Sequence, residues 1–578
     1  MKETGKVIIY QVLPRLFGNV KFNNIPNGGI AENGSGKMSA FTNKALREIR
    51  KLGITHIWYT GLLEHATQTD NLIYNIKLDC PILVKGRAGS PYAIKDYYDV
   101  DPDLADNVIH RKRELKNLIE RTHHAKMKVI IDFVANHVAR DYYSDAKPEG
   151  VKDFGANDNT SKAFSPNNNF YYIPGEKFLP DFLSEAQLNG YEENPAKVTG
   201  NDCFSAHPGK YDWYETAKLN YGIDFKHGNS RCFDPIPDTW HKMYDIVCYW
   251  AQFGIDGFRC DMAEMVPVEF WEWLIPKVKE KYPDVTFIAE VYNPAMYLNY
   301  IERGKFDYLY DKVGLYDTLK AIIMEQRSAR VITGSWQSLG HLHGKMLNFL
   351  ENHDELRIAS DFFAGDPWKA LPALVVSACM YSNPFLLYAG QELGERGMDA
   401  EGFSGCDGRT SIFDYWNPET LRKWYNDGGC NIELLNEDQR RLRKRYAAIL
   451  NLSRNSLSLN SGDFFDLVYA NIDKPNFNPD KQYAFLRYAE GELMMVAVNF
   501  DDHNVDIDLF LPEAAFEYFG IKNLKFEIAV DVMKMDAPMP KDIQPDSTYH
   551  LTLDRYGYKF VKFLSKKPVK RTKNLKKK

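Results

Sequence analysis

The chain has 578 residues, enough for about two to three domains, and its 44% hydrophobic and 26% charged residues are typical of a globular protein. A net charge of −6 gives no reason to expect nucleic acid or a membrane surface as a partner. The sequence has no run of about 18 apolar residues, so no transmembrane helix is expected. The polar start of the chain and the eight cysteines, which lack metal-ligand spacing, predict a cytoplasmic protein with reduced thiols.

From the start of the chain, strand and helix patterns alternate. Short apolar runs predict the strands, and apolar residues at helical spacing predict the helices between them. The predicted elements are strand 7–13, helix 43–52, strand 54–60, helix 111–126 and strand 128–134. Two long loops, 18–40 and 61–104, lie between these elements. Strands that alternate with helices favour an α/β fold.

The alternation breaks at Val138. From there to about Asn229, the residues Asn, Asp, Gly and Pro are frequent, and no clean helix or strand period is present. A loop of this length within a domain is usually functional. The aromatic clusters at 170–172 and 213–214 argue against a disordered insert. We therefore interpret residues 138–229 as an inserted, ordered region.

Helix and strand patterns return after the insert. They predict helix 237–253, strand 255–261, helix 267–281, strands 285–291, 306–310, 346–350 and 385–389, and helix 437–454. From about residue 460 the pattern changes to period-two strands separated by turns, such as 482–488 and 492–498, which predicts an antiparallel β-sandwich. The tail 566–578 is basic with few apolar residues, so we expect it to be solvated and disordered.

Several predicted strands end in acidic residues. The stretches Asp132–His137, Phe287–Glu290 and Phe349–Asp354 each close an apolar run, and Gly257–Asp261 is itself a short strand. In an α/β barrel the chemistry lies where the strands end. Arg259 lies two residues before the final Asp and shares its face of the strand. Such a guanidinium keeps a carboxylate ionised, as a nucleophile requires, although a structural ion pair is the commoner explanation for one such pair alone.

Together and in this order, these four stretches resemble the signature regions of glycoside hydrolase family 13, the α-amylase family. Segments 9–15, 57–60, 92–97 and 388–392 are also similar to the family, and the resemblance extends roughly over residues 7–455. It implies a TIM (β/α)8 barrel with a domain B inserted after the third strand and a C-terminal antiparallel β-sandwich. The implied division is barrel 1–137 and 230–457, domain B 138–229, β-sandwich 458–565 and basic tail 566–578.

The resemblance also implies roles for the residues at the strand ends. Asp261 matches the nucleophile, Glu290 the general acid/base, and Asp354 the third carboxylate, which binds sugar hydroxyls. Two carboxyl groups at the ends of neighbouring strands are expected about 5–5.5 Å apart, as in retaining glycosidases. The remaining matches are Tyr92, which would stack beneath the sugar, His137 and His353, which would donate to its hydroxyls, and Arg259, which would hold Asp261 ionised. Asp132 is expected to brace Arg259.

Three positions depart from the pattern of many family members. Asn136 matches a calcium ligand, but Lys218 stands where a domain B Asp is expected, and Met265 stands where many amylases have a His. We therefore predict that no cofactor is required and that the interdomain calcium site is degraded, although calcium binding elsewhere is possible. Lys218 is similar to the neopullulanase and cyclomaltodextrinase branch. Glu264 stands where many amylases have a Lys that faces the acceptor side. The replacement leaves open the nature of the acceptor subsite, and so the choice between hydrolysis and transfer.

Taken together, the resemblance implies a retaining α-glucan hydrolase that cleaves α-1,4-glucosidic bonds in maltodextrin, glycogen or starch fragments. The alternatives on the same machinery are an α-glucan-active glycosyltransferase or isomerase, a neopullulanase- or cyclomaltodextrinase-like enzyme, and action on α-1,6 links, trehalose or sucrose. Non-catalytic transporter subunits also occur in the superfamily, but they need a transmembrane helix and no intact carboxylates. The expected partner is an α-glucan oligosaccharide or polysaccharide, with neither nucleic acid nor membrane, and the sequence leaves the oligomeric state open.

Overall fold

The centre of the molecule is a closed barrel of eight parallel strands. The computed structural model describes residues 5–397, 400, 403 and 405–565. Each barrel strand pairs with the next barrel strand along the chain, and the last pairs with the first, which confirms the predicted TIM barrel. The strands are β1 Ile8–Val12, β2 His56–Tyr59, β3 Lys128–Val134, β4 Gly257–Asp261, β5 Thr286–Ala289, β6 Tyr308–Tyr310, β7 Met346–Phe349 and β8 Phe385–Tyr388.

Alternating side chains give the barrel an inner and an outer apolar layer. Because successive residues of a strand point to opposite faces, every second residue faces the interior. A cluster separate from the main core takes at least one residue from every barrel strand except β4. On β4, Arg259 is the residue that lies against this cluster, over the rings of Trp58 and Tyr310. On β4, the inward position that other strands give to an apolar residue is therefore taken by a charged one.

Helices surround the barrel and bury one apolar stripe each. In the helix Asp238–Phe253, the side chains of Trp240, Met243, Val247 and Trp250 are buried, at the spacing of one helix face. Gly254 ends this helix with φ 115°, a left-handed conformation that favours glycine. The principal helices are Asn43–Arg50, Arg111–His124, Asp238–Phe253, Val268–Lys281, Tyr297–Glu302, Asp317–Ile323, Val331–Leu339, Leu371–Cys379, Glu419–Tyr425 and Glu437–Asn455.

The two predicted long loops contain short regular elements. The first holds the helical turn Ile30–Asn33 and the 3-10 turn Met38–Ala40. In the second, strand Leu63–His65 pairs antiparallel with strand Ile94–Val100. The helical turns and Leu63–His65 are too short to show a hydrophobic period, and Ile94–Val100 is buried at every position but mixes Lys and Asp with apolar residues, so no alternation is visible.

The inserted region after β3 consists of short antiparallel ribbons. His137–Ala139 pairs with Thr216–Lys218, and the register places Lys218 opposite His137. Two further ribbons are Tyr172–Ile173 with Ala196–Lys197, and Ile223–Asp224 with Ser230–Arg231. A small core, shared with Leu83 of the loop after β2, includes Phe178, Leu188, Ala196, Ala206 and Tyr214.

The C-terminal region is antiparallel, as predicted. A six-stranded sheet has the order Asp463–Asp466, Gln482–Ala489, Glu492–Asn499, Tyr558–Ser565, Phe526–Asp531 and Ala537–Pro538. A second pair, Val505–Leu511 and Ser547–Leu553, completes the β-domain. Among the residues described here, no helix is long and apolar enough to span a bilayer. The basic tail 566–578, and its predicted disorder, lie outside the described residues.

Candidate active site

The barrel topology brings the predicted site residues to the carboxyl ends of the strands. Asp261 is the last residue of β4, Glu290 directly follows β5, and Asp354 lies five residues beyond β7. The other predicted site residues lie on the same rim, on β4, just after β3 and β7, and in the loop after β2. They are Arg259, His137, His353 and Tyr92.

Arg259 links both predicted catalytic carboxyl groups. Its side chain is 1% exposed. Nη1 donates to Asp261 Oδ1 at 2.7 Å, and Nη2 lies 2.7 Å from Glu290 Oε2. Asp132 Oδ1 is 3.4 Å from Nη1, so the predicted brace is present but long. The Tyr310 hydroxyl, 3.2 Å from Nε, is a further partner. The contact of Arg259 with Asp261 is therefore a hydrogen bond, whereas its contact with Glu290 is an ion pair in which Nη2 lacks hydrogen-bond geometry.

Glu290 has two further donors. The backbone N–H of Met262 donates to Oε2 at 2.8 Å, and the Tyr292 hydroxyl donates to Oε1. Met262 directly follows Asp261 and has φ 42° and ψ 42°, a left-handed conformation that is uncommon for a residue with a side chain. Strained backbone of this kind persists where surrounding contacts fix it. Here it aims an N–H at the carboxyl group on the neighbouring strand end.

The carboxyl groups lie in a crowded, poorly hydrated place. Burial raises the pKa of Asp261 well above its usual range, Arg259 opposes this rise, and the carboxyl groups of Glu290, Asp132 and Asp354 add to it. The ion pair that the sequence predicted is therefore present, but it offsets only part of the effect of burial. Desolvation by the surrounding protein atoms also raises the pKa of Asp354 to about 7, with the charge of Glu290 as the next cause. Its side chain is nevertheless 44% exposed to solvent.

Both predicted histidines are neutral donors or acceptors. Burial, followed by the charge of Arg259, lowers the pKa of His353 well below its usual range. Burial, followed by Lys218, lowers the pKa of His137 to about 3. The Gln11 amide nitrogen lies 2.7 Å from His353 Nδ1 and donates to it, which leaves the proton on Nε2. That Nε2 lies 2.5 Å from the Tyr92 hydroxyl and 3.0 Å from Asp354 Oδ2.

Lys218 occupies the junction between the barrel and the insert. Its buried ammonium donates to Asn136 Oδ1 at 2.9 Å and lies 2.5 Å from Asp202 Oδ1. Asn136 also donates from Nδ2 to the Gly200 carbonyl at 2.7 Å. The oxygens of Asn136 and Asp202 would suit a hard cation, but here they surround a positive charge that belongs to the chain.

Several residues of the site were not predicted. Tyr292 contacts Glu290, Tyr310 contacts Arg259, and Gln11 contacts His353. Trp58 donates from Nε1 to Asp132 Oδ2 at 3.0 Å. Gln11 and Trp58 lie in strand segments whose similarity was noted without assigning them a role. Period two along β6 would have placed Tyr310 on the same inward face as Tyr308. Tyr292 lies two residues after Glu290, but β5 ends at Ala289, so strand periodicity does not extend to this pair.

Glu264, whose role the sequence left open, has one hydrogen bond of note. Its Oε2 accepts from the backbone N–H of Asn293 at 3.1 Å. This contact links the short 3-10 turn Ala263–Met265 after β4 to the loop after β5. The side chain is half-buried.

Comparisons with known proteins agree with this architecture. Residues 11–441 match the family model described as alpha amylase, catalytic domain. The chain is 24% identical over 395 residues to the alpha-amylase MalA of Haloarcula japonica, covering 68% of this chain and 44% of that protein. It is 23% identical over 399 residues to a cyclomaltodextrinase of Geobacillus thermopakistaniensis, covering 68% and 57%. The chain thus spans about half the length of the curated relatives it matches first.

Solved structures show the same fold. The maltogenic alpha-amylase AmyB of Thermotoga neapolitana superposes with a TM-score of 0.61 at 18% identity, covering 98% of this chain and 100% of that one. The alpha-amylase GTA of Geobacillus thermoleovorans, complexed with acarbose, gives 0.61 at 20% identity, covering 97% and 98%. At these identities the likeness concerns the fold alone.

Proposed function

Because the chain belongs to the α-amylase family by its match over residues 11–441, we propose that it is a retaining hydrolase of α-glucans. The proposed substrates are maltodextrin, glycogen or starch fragments, and the bond cleaved is α-1,4-glucosidic. One observation carries the proposal: a single buried guanidinium, that of Arg259, contacts both Asp261 and Glu290, each at 2.7 Å. Two carboxyl groups held at one point of a cleft are what retaining cleavage of a glycosidic bond needs.

In the first step, Asp261 attacks the anomeric carbon with a carboxylate oxygen. The bond to the leaving oxygen breaks, and protonated Glu290 gives its proton to that oxygen. In the second step, the ionised Glu290 takes a proton from water. That water attacks the anomeric carbon and releases Asp261, so two inversions give net retention. The ion pair with Arg259 favours the ionised form of Asp261 that the attack requires.

The other polar groups are proposed to bind and orient the sugar. Neutral His353 would donate from Nε2, and Asp354, at the mouth of the cleft, would accept from sugar hydroxyls. His137 and Tyr92 would complete this subsite, with the Tyr92 ring held by its stacking on His353, the two centroids 5.2 Å apart. Rigid placement of these groups lowers the entropy that binding must remove before reaction.

A second candidate is transfer of glycosyl units, or cleavage of α-1,6 links, by the same residues. A 57-residue segment is 39% identical to a protein named alpha-1,4-glucan:maltose-1-phosphate maltosyltransferase. This short similarity is the observation that favours transfer. Both candidates share the covalent intermediate. They differ in whether water or a sugar hydroxyl attacks it, and Glu264, which accepts from the Asn293 N–H, is proposed to face the acceptor.

We also propose that activity requires no cofactor and that the family's calcium position beside Asn136 is degraded. Lys218 supplies the positive charge there, because its ammonium already contacts Asn136 and Asp202. The division into barrel 1–137 and 230–457, domain B 138–229 and β-sandwich 458–565 is likewise proposed, as is the cytoplasmic location.

The test is incubation of the purified chain with maltoheptaose, followed by chromatography and by proton NMR during early turnover. We expect shorter maltooligosaccharides, released first as the α-anomer. Longer products would favour transfer. A β-anomer appearing first would contradict the retaining mechanism, and cleavage of cellooligosaccharides without cleavage of maltoheptaose would contradict the substrate class.

A further inference from the structure

A second group of carboxylates lies outside the active site. Glu64, Asp96, Asp99 and Asp145 each place one carboxylate oxygen within 4.8 Å of those of the other three. Glu64 and Asp96 are register partners in the ribbon of Leu63–His65 with Ile94–Val100, which also carries Asp99. Asp145 comes from the inserted region after β3. Glu64, Asp96 and Asp99 are buried, at 2%, 0% and 0% exposure, and Asp145 is exposed to solvent.

Basic side chains offset only part of this negative charge. Arg111 pairs with Asp99, donating from Nε to Oδ1 at 2.9 Å and from Nη2 to Oδ2. Lys95 lies on the same ribbon, but its ammonium donates to Asp79 Oδ2 at 3.1 Å. In the described part of the chain, Arg111 is the one basic side chain that ion-pairs with any of the four carboxylates.

Burial raises the pKa of Asp96 to about 6, and its hydrogen bonds oppose that rise. Its Oδ1 accepts from the Tyr98 N–H at 2.7 Å and from the Ser144 hydroxyl at 2.6 Å, and its Oδ2 accepts from the Ala146 N–H at 3.1 Å. Donors of this kind stabilise a carboxylate over a carboxylic acid. Ser144 and Ala146 flank Asp145, so the same contacts hold Asp145 against the ribbon.

Glu64 provides a second observation at this cluster. Its Oε2 is buried and has no hydrogen-bond donor among the residues described. A buried polar atom without a partner destabilises the folded state, and more so when the group is charged. The atom belongs to one of the four clustered carboxyl groups. A cation at this point would satisfy it and would also relieve the repulsion among the four groups.

We propose that Glu64, Asp96, Asp99 and Asp145 form a calcium site. Calcium takes six to eight oxygen ligands at about 2.3–2.6 Å, so opposite ligands lie up to about 5 Å apart. The four oxygens fit within that span. Magnesium requires a near-ideal octahedron at about 2.0–2.1 Å and keeps several waters, which suits a buried group of four carboxylates less well.

The site joins two parts of the chain. The ribbon belongs to the loop after β2, and Asp145 belongs to the insert after β3. The bound ion therefore fastens the insert to the barrel at a point distinct from the contact of Lys218 with Asn136. Exposed Asp145 gives the ion a way in from solvent. The site is independent of the proposed reaction, because none of the four residues contacts Arg259, Asp261, Glu290 or Asp354 among the contacts described.

The test uses the full-length protein after removal of metal with a chelator. Calcium chloride is titrated by calorimetry, and the melting temperature is measured with calcium, with magnesium and with EDTA. We expect one calcium ion per chain and a melting temperature that rises with calcium concentration. Glu64→Gln and Asp145→Asn should each weaken calcium binding at least tenfold. The matched control is Asp502→Asn, in the exposed group of Asp501, Asp502 and His503, which should leave binding unchanged.

The variants also separate a calcium site from a cluster of protonated carboxyl groups. With EDTA present, Glu64→Gln should melt no lower than the wild type, because it removes an unsatisfied buried carboxylate. Asp145 is exposed, so its variant tests the site even if Glu64→Gln fails to fold. The proposal is wrong if the wild type binds no calcium, if both variants bind it as the wild type does, or if magnesium raises the melting temperature equally at equal concentration.

Discussion

Arg259 and Lys218 are both buried cations at the mouth of the barrel, but they contact different groups. Arg259 uses a planar fork to contact Asp261 and Glu290, groups on neighbouring strands that face the cleft. Lys218 places a compact charge between Asn136 and Asp202 and joins the end of β3 to the insert. The guanidinium can fix two carboxyl groups in a defined geometry, whereas the ammonium serves as a point charge. The first is suited to organising a reaction and the second to replacing a bound cation.

The largest effect is expected on the Arg259 side of this comparison. Asp261→Asn should lower kcat on maltoheptaose by about four orders of magnitude, because it removes the attacking oxygen with little change in shape. Steady-state kinetics measures this, with Asp284→Asn, an exposed residue before β5, as the control.

Glu290→Gln separates the two carboxyl roles. It should be nearly inactive on natural sugars but should still form a glycosyl-enzyme with a substrate that has an activated leaving group, which needs less protonation. Intact-protein mass spectrometry detects that adduct. Near wild-type turnover by Asp261→Asn, or an adduct on that variant, would contradict the assignment.

The next prediction tests whether the planar guanidinium of Arg259, and not only its charge, is needed for turnover. Arg259→Lys keeps the charge but cannot contact both carboxyl groups at once, so we expect kcat to fall by about 10²–10³. The pH profile of kcat/KM should also shift, since a purely structural role would change stability and leave that profile in place. The control is Arg231→Lys, which alters an exposed pair with Glu269. If kcat of Arg259→Lys were unchanged, the planar fork would not matter, and the proposed difference between Arg259 and Lys218 would be wrong.

A smaller effect is expected on the Lys218 side, and on stability more than on rate. Lys218→Met should lower the free energy of unfolding by about 1–3 kcal/mol, because the buried Asn136 oxygen loses its donor. Asp202 should contribute little, since its side chain is 40% exposed. Chemical denaturation measures this, with the exposed Lys210→Met as the control. A fall in kcat comparable to that of Arg259→Lys would show that Lys218 also serves the reaction.

The smallest effect concerns pH. Folding raises the pKa of Asp354 to about 7, whereas an unfolded Asp titrates near about 4. Between these values the folded state holds a proton that the unfolded state has lost, so this group's stabilising contribution is present at low pH and is lost as pH rises toward 7. The melting temperature of Asp354→Asn should therefore fall less than that of the wild type between pH 4 and pH 7. Parallel curves for the two proteins would contradict the raised pKa.

Much of the site was predictable because its residues occupy fixed places on regular elements. A strand that ends in Asp261 and one that ends just before Glu290 must present these groups at the same rim once the strands are parallel neighbours. Period two placed Arg259 on the face of Asp261. The order of elements and the similarity of the strand-end segments were then enough to predict the barrel. The period-two pattern after about residue 460 was enough to predict the antiparallel C-terminal region.

The tertiary structure decided what depends on contacts between distant residues. The hydroxyl of Tyr292 on Glu290, the amide of Gln11 on His353 and the unpartnered oxygen of Glu64 follow from side-chain packing that no local period encodes. The tertiary structure also decides the pKa of Asp261, because burial raises it whereas the guanidinium of Arg259 lowers it. Sequence alone determined which chemical groups the protein has and which strand ends carry them. Only the folded chain determined their distances, their burial and hence their protonation, because these depend on atoms brought together from the whole length of the chain.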